Sequence, residues 1–590
     1  MGGRLGEALS ERVRVAMLDA FAQGAAPEVE AAVHAANAGG QLIKPTSDAR
    51  FGDYQVNAIL PLAKLLKGNP RALAQRFVEV FDSRGMCLAP EIAGPGFVNL
   101  RLDPSWLAAE LGRAATDARL GVAPVAQPQR VIVDFSSPNV AKRMHVGHLR
   151  STVIGDALVR TLKFLGHAVV GDNHIGDWGT QFGILLWAWK RGHDEAALNA
   201  DPIGELERLY KEGTAAMKAD VEIANACRAE LAKLQAGDAE NKALWERFVA
   251  VSRAEAERVY ARLEVTFDSW HGESFYNDRL PGLVEELRAK GVATESEGAI
   301  CIFLDEPGLP TTPFIIRKSD GAFLYATTDL ATVEYRRETL HAERLVYVVD
   351  VRQSDHFRQL FATCKKIGWD ADFVHVGFGM MLGADGRPFK TRDGGVVRLD
   401  QLLDEAEERI LPVVREKWPE ATEAAQRLIA SKVGAGAVKY ADLAQNLATD
   451  YKFDWDKLLA ADGNTGPYLQ YALVRCLSIF REAENRLGLV FAPDGTALLL
   501  GTDEEKALAL ELARFGDTLD RMGAQLLPHI LCEYLFALAR LFSAFYAKCP
   551  ILASNIDAAT RHSRLTLTHL VWRTLETGLS CLNIPRVTRM

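Results

Sequence analysis

The 590-residue sequence contains no CxxC pair. Its eight cysteines (Cys87, Cys227, Cys301, Cys364, Cys476, Cys532, Cys549 and Cys581) stand far apart. That spacing offers neither a zinc site nor a disulfide framework and suits a reducing compartment. No GxxxxGK(S/T) stretch occurs, so a nucleotide cannot be held by a P-loop. The opening MGGRLGEALSERVRVAMLDAF is charged throughout and lacks the apolar centre of a signal peptide. Gly6 spoils a myristoylation match, no cysteine stands fourth from the end, and no apolar run reads as membrane-spanning. Positive charge is short as well: 68 Lys and Arg against 77 Asp and Glu leave a net −9. Such a chain does not coat nucleic acid or lipid non-specifically, although a local basic surface remains open to it. The expectation is a soluble, cytoplasmic protein with no membrane contact, long enough for three or four domains.

What is present is strongly organised. Residues 1 to 120 mix helical and strand-like pieces and close on GPGFVNLRL, and GVAPVAQPQ (121–129) reads as a linker. VIVDFSS then opens a series of strand–loop–helix units, with a helix from about Gly147 to Phe164 and a next strand in VVGDNHIGDWG. From Lys190 to Phe267 the chain turns charged and helical, too long for a simple crossover and therefore an insertion. Strand signals resume at FLYAT, LVYVVD (345–350) and FVHVGFGMM (373–381), and helical periodicity rules after Asp400. An interrupted doubly wound sheet followed by a helical domain accounts for this order.

The chemistry concentrates in VIVDFSSPNVAKRMHVGHLRST (131–152). A strand passing through a loop into a helix is where open α/β folds bind ligands, and the helix N-terminus suits phosphate. His145 and His148 share one face of the first turn, and Gly147 between them removes a side chain where a flat ring such as adenine could approach. The alternative is a pair of histidines that merely cap a surface helix. The strand before them and the helix after them favour the nucleotide seat.

SSPNVAKRMHVGHLRSTVIGD resembles the signature region of arginyl-tRNA synthetases of bacterial type, with HVGH in place of the class I HIGH. FGDYQVN, GPGFVNLRL, GDNHIGDWGTQFG, RKSDGAFLYATTDLA, VRQSDHF, PFKTRDGG and TGPYLQYALVR extend the resemblance in order along the chain. It implies a multidomain α/β protein. An N-terminal α+β domain that contacts tRNA would span 1–120. An interrupted Rossmann-like class I catalytic domain would span 126–400, with a helical insertion at about 190–310. A C-terminal all-α anticodon-binding domain would span 401–590. It implies ATP and Mg²⁺, L-arginine and tRNA(Arg) as reactants and partners, arginyl-adenylate as intermediate, and a monomer. His145, His148 and Lys142 would carry catalysis, with no metal held by the protein itself. ATP would meet His145, Gly147, His148, His356 and the basic loop residues Lys390 and Arg392. That loop, GRPFKTRDGG, departs from KMSKS by lacking the final lysine, for which Lys142 is expected to compensate.

Arginine's guanidinium is planar and always charged, so a carboxylate is its best partner. By the same resemblance Asp329 pairs with it and Tyr325 packs beside it, while Asp134, Asn139 and Gln353 surround the amino acid's other groups. Tyr468, Gln470, Tyr471 and Arg475 are expected at the RNA, where rings stack on bases and arginine meets phosphate. Residues 551–590 add Arg561, Arg564, Arg573, Arg586 and Arg589 against Asp557 and Glu576, a locally basic stretch. Two rival readings stay open: a nucleotidylyltransferase that uses a similar HxGH loop without tRNA, and a catalytically silent RNA-binding relative.

Overall fold

The computed structural model describes residues 4–21, 27–46, 48–304, 306–389 and 397–589. Two compact units emerge: residues 1–124 with 469–525 and 530–578, and residues 125–468 with 526–529 and 579–590. The first begins with helices α1 (Leu5–Phe21) and α2 (Pro27–Ala38). Strands β1 (Ile43–Pro45) and β2 (Tyr54–Val56), helices α3 (Ile59–Leu65) and α4 (Pro70–Val80), strands β3 (Glu91–Ala93) and β4 (Phe97–Leu100), and helix α5 (Pro104–Thr116) follow. The strands form one antiparallel sheet in the order β1-β2-β4-β3. Local chemistry sets the helix starts. Asn69 and Asp103 accept hydrogen bonds from the first-turn N–H groups of α4 and α5, and a proline follows each cap.

The second unit is built on a parallel sheet of β5 (Arg130–Asp134), β6 (Ala168–Asp172), β10 (Arg344–Asp350) and β11 (Asp372–Phe378), ordered β11-β10-β5-β6. Helix α6 (Val146–Leu165) joins β5 to β6. The chain winds one way from β5 to β6 and the other way from β10 to β11. The reversal lies between β5 and β10, where Asp134 pairs with Tyr347, and ligands of such sheets lodge beyond the strand ends at that point.

Between the halves run α7 (Thr180–Arg191), α8 (Glu195–Ala200), α9 (Pro202–Ala219), α10 (Val221–Gln235), α11 (Ala239–Arg262) and α12 (Leu280–Ala289). The stretch expected to be a helical insertion is helical to this point, then forms an antiparallel sheet of β7 (Thr294–Ser296), β8 (Ala299–Ile302) and β9 (Phe314–Arg317). FLYAT is not a strand: α13 (Tyr325–Glu338) begins inside it. The apolar positions of that run, including Ala326, Leu330 and Ala331, recur at helical spacing and are buried. Helix α14 (Ser354–Ile367) then separates β10 from β11.

Beyond β11 a two-residue strand β12 (Met381–Leu382) pairs with β13 (Tyr451–Lys452), so strands do not end at Asp400. Helices α15 (Leu399–Lys417), α16 (Glu423–Leu443) and α17 (Trp455–Leu458) flank β13 in the chain, and α18 (Gly466–Leu487), α19 (Asp503–Ala513), α20 (Phe515–Gln525), α21 (His529–Lys548) and α22 (Ala558–Cys581) follow. By length and composition alone helix α21 could cross a membrane. Leu531, Leu535, Leu538, Phe542 and Phe545 on it are fully buried, as in a core helix.

Candidate active site

The loop from Phe135 to His145 carries three non-glycine residues at positive φ: Ser136 at 74°, Ser137 at 48° and Ala141 at 61°. Such strain persists where surrounding bonds over-determine the backbone. Here the Ser136 N–H donates to Ser151 Oγ at 2.8 Å, and its hydroxyl lies 2.7 Å from both Thr152 Oγ1 and Tyr260 OH. The Ala141 N–H donates to Ser252 Oγ at 2.9 Å. Backbone bonds from Val146 to Val397 and from Leu399 to Met144 pin the loop's far end.

The loop delivers His145 to the N-cap of α6. The Gly147 N–H donates to His145 Nδ1 at 3.1 Å, and the His145 N–H donates to His148 Nδ1 at 3.1 Å. The two signature histidines are therefore a capping box built from imidazoles. Each Nδ1 accepts, so each neutral ring carries its proton on Nε2. Burial, then the neighbouring His145, pushes the His148 imidazolium down to about 3, and burial with Lys142 lowers that of His145. The ring centroids lie 4.0 Å apart. The arrangement presents two neutral N–H donors beside a helix N-terminus, without a fixed positive charge to desolvate.

Gly147 is required by His145. A Cβ there would lie 2.8 Å from its Cε1 and 2.9 Å from its Nδ1. We expect Gly147→Ala to displace that ring and with it the helix cap, at a cost of about 0.5–2 kcal/mol in stability, while the exchange rate between ATP and pyrophosphate falls by up to about 10²-fold. Calorimetry beside exchange kinetics checks both halves.

Asp134 ends β5 and pairs in register with Asp172 at the end of β6. Arg336, 1% exposed, reaches both carboxylates with one nitrogen, each contact 2.7 Å. The Ser137 hydroxyl donates to the other Asp134 oxygen at 3.1 Å. An ammonium ion at Asp134 would share a carboxylate already engaged by Arg336 and Ser137. Asn139 is exposed on the loop after β5, and Gln353 is exposed in the turn after β10, both at the C-terminal edge of the sheet.

Asp329 and His356 are brought together across α13 and α14: His356 Nε2 lies 2.6 Å from Asp329 Oδ2, and the Tyr325 ring centroid is 4.8 Å from that of His356. Tyr325 is 62% exposed and so open to a ligand. His356, expected against nucleotide, faces the acid expected to hold arginine. Sequence reasoning missed Glu273. Burial pushes the Glu273 carboxyl up to about 7; His174 opposes the rise, and Asp177 and Asp329 add to it. A second carboxylate close enough to feel Asp329 suits a guanidinium. Glu273 lies in no motif, and only the fold brings it near Asp329.

Lys142 is exposed, its Nζ 5.1 Å from the Tyr210 ring centroid. Lys390 and Arg392 lie outside the described residues. Among the described residues no group of three or more His, Cys, Asp or Glu side chains could hold a metal ion. On α18, Tyr468 is half-buried, Tyr471 is 42% exposed, and the Arg475 guanidinium donates to Tyr471 OH at 3.0 Å. Gln470 is a correction: at 0% exposure its amide lies in the core and does not face RNA. The basic stretch near the C-terminus is also partly spent within the fold. Arg564 pairs with Glu505 at 2.8 Å, Arg561 donates to the Ala553 and Ile556 carbonyls, and Arg573 donates to that of Ala118.

Residues 114–455 match the family model for tRNA synthetases class I (R), catalytic domain. Residues 469–590 match that for the DALR anticodon binding domain, and residues 23–102 that for the arginyl tRNA synthetase N terminal domain. The chain belongs to the arginyl-tRNA synthetases. It is 48% identical to an arginine–tRNA ligase of Chromobacterium violaceum over 593 residues, 99% of each chain. To one of Cellvibrio japonicus it is 47% identical over 558 residues, 93% of this synthetase and 96% of that relative. Among solved structures, arginyl-tRNA synthetase of Thermus thermophilus superposes with a TM-score of 0.80 at 26% identity, covering 99% of both chains. The Plasmodium falciparum enzyme gives 0.80 at 27% identity, covering 93% of this synthetase and 94% of that chain. The expected fold class, mixed α/β with an N-terminal domain and a helical C-terminal domain, holds for this synthetase. Enzymes of the family ligate arginine to tRNA with ATP as substrate.

Proposed function

We propose that this chain activates L-arginine with Mg²⁺-ATP and charges tRNA(Arg). The arginine carboxylate attacks the α-phosphorus, and the bond to the leaving pyrophosphate breaks, giving arginyl-adenylate. The 2′-hydroxyl of the terminal ribose then attacks the arginyl carbonyl and AMP leaves. The observation that carries this reading is the pair of imidazoles at the start of α6, each with Nδ1 engaged by backbone and Nε2 bearing the proton. Two such donors can follow charge onto the departing pyrophosphate. Lys142, Lys390 and Arg392 supply cations to the triphosphate. Mg²⁺ enters with the nucleotide.

Asp329 and Glu273 receive the guanidinium, with Tyr325 packed against its plane, and Asn139, Gln353 and Asp134 orient the carboxylate and ammonium. Tyr471 and Arg475 meet the anticodon stem-loop, with Tyr468 beside them in the sequence. Every named group belongs to one chain, so a monomer suffices, and eight buried free thiols suit the cytoplasm.

Asp329→Ala is expected to raise the arginine KM about 10²-fold, since removing one member of a desolvated charge pair has an effect of that size. ATP binding, read by equilibrium dialysis, stays intact. An unchanged arginine KM would remove Asp329 from the pocket. The reading as a whole is tested by arginine-dependent ATP–pyrophosphate exchange with and without tRNA. Exchange confined to the tube with tRNA supports it, and a folded protein silent in both tubes overturns it.

A further inference from the structure

The residues just ahead of the signature histidines are held by the insertion, through α9 and α11. Arg143 is 12% exposed in its side chain and is met by three carboxylates. Asp201, the N-cap of α9, bonds its guanidinium; Glu207 on α9 lies 3.8 Å from Nε and accepts the Arg143 backbone N–H at 2.8 Å; Glu255 on α11 lies 3.4 Å away. Ser252, on the same face of α11 as Glu255, accepts the Ala141 N–H. Arg143 is thereby neutralised and fixed. Its neighbour Lys142 is treated differently. Among the described residues no carboxylate pairs with it, and its ammonium sits over the Tyr210 ring, three residues beyond Glu207 on α9. A cation over an aromatic face is held in place but exchanges easily for an anion, because the attraction is modest and no hydrogen bond has to break.

We propose that Tyr210 is a positioning residue for the reaction: it holds Lys142 beside the signature loop, while the Arg143 carboxylate cluster keeps the loop itself immobile. The insertion is then part of the nucleotide-activating machinery and not only a covering layer. The division of labour follows from the two environments. Three carboxylates commit Arg143 to structure and take it out of competition for the triphosphate. The ring leaves Lys142 charged, oriented and free to move onto phosphate oxygens when ATP arrives. Removing the ring disperses the ammonium among solvent-exposed rotamers, so each turnover has to find the productive one again.

This inference rests on the reading of Lys142 as a triphosphate contact, and a double-mutant cycle separates the two. ATP–pyrophosphate exchange is measured, with arginine and tRNA saturating, for the full chain and for Tyr210→Ala, Tyr210→Phe, Lys142→Ala and Tyr210→Ala/Lys142→Ala. Thermal unfolding of each confirms that it is folded. The expected result is a fall of about fivefold for Tyr210→Ala, little change for Tyr210→Phe, a larger fall for Lys142→Ala, and a double variant no worse than Lys142→Ala alone. If the two losses multiply in the double variant, or Tyr210→Ala matches the unsubstituted chain, Tyr210 does not act through Lys142 and the proposal is overturned. If Lys142→Ala itself retains full exchange, the assignment of Lys142 fails first and takes the proposal with it.

Discussion

His148→Gln lowers arginine-dependent ATP–pyrophosphate exchange about 10²- to 10³-fold while the protein stays folded. A glutamine at the third helical position can still accept the His145 N–H, as in an ordinary capping box, so the cap survives. What is lost is an N–H donor aimed from a ring held at Nδ1 by the His145 N–H, and removing one donor of this kind costs on the order of 10²–10³ in rate. Alanine at the same place would lose the cap as well and blur the comparison. Exchange kinetics paired with thermal unfolding separates the effects; a glutamine variant of full activity would show that the ring at 148 serves the helix alone.

The same ring predicts a pH profile. Burial and the neighbouring His145 push the His148 imidazolium down to about 3, so it is neutral in the free protein throughout about pH 5 to 8. The kcat/KM for ATP, which reports the free protein, should show no limb from His148 in that window. The sign for stability follows. A depressed histidine pKa means that protonation disfavours the folded state, so the contribution is fully present above the unfolded value near 6.5 and is lost as pH falls toward 3.

Arg336→Met is expected to be the most damaging single change to stability. One buried guanidinium serves Asp134 and Asp172 at the ends of adjacent strands, and its loss leaves two buried carboxylates facing each other. Breaking a buried pair from one side costs about 3–5 kcal/mol. Adding Asp134→Asn and Asp172→Asn removes the orphaned charges and should recover part of that loss. Urea unfolding followed by tryptophan fluorescence reads the shift in midpoint. A single variant as stable as the parent would mean that the carboxylates find protons or water without difficulty. Burial opposes ionisation of Asp172, but Arg336 and Ser269 outweigh it and hold its pKa low. Its contribution is therefore present above the usual carboxylate range and is lost on acidification.

The parts of this molecule that could be read from sequence are those where local signals and tertiary role coincide. The strand at 130–134, the helix from 146 and the histidines at that helix's start share one short stretch, and the structure keeps them adjacent. LVYVV, ahead of Asp350, is an almost unbroken apolar run because β10 is a parallel strand between two others, with Leu345, Val346, Tyr347 and Val348 buried. FLYAT has the same apolar look and begins a helix, since a short run without alternation does not distinguish the two. Glu273 is a single residue far from Asp329 in the chain, and only the fold brings the two close enough to feel each other. Gln470 shows the reverse limit: sitting within a matching motif said nothing about which way its side chain points.

The imidazole cap at α6 also restricts what substitution can do. At most helix starts Ser, Thr, Asn and Asp are interchangeable, and a sequence drifts among them at little cost. At 145 none of the four is an equivalent replacement. Each would hold the backbone, but Asp would turn a negative charge toward an incoming triphosphate, and the others place no ring nitrogen where Nε2 now stands. Helix stability and reactivity share a single side chain there, so neither can be tuned without the other. A library randomised at 145 and 148 and selected only for folding should fill with ordinary caps, and one selected for charging should return histidine.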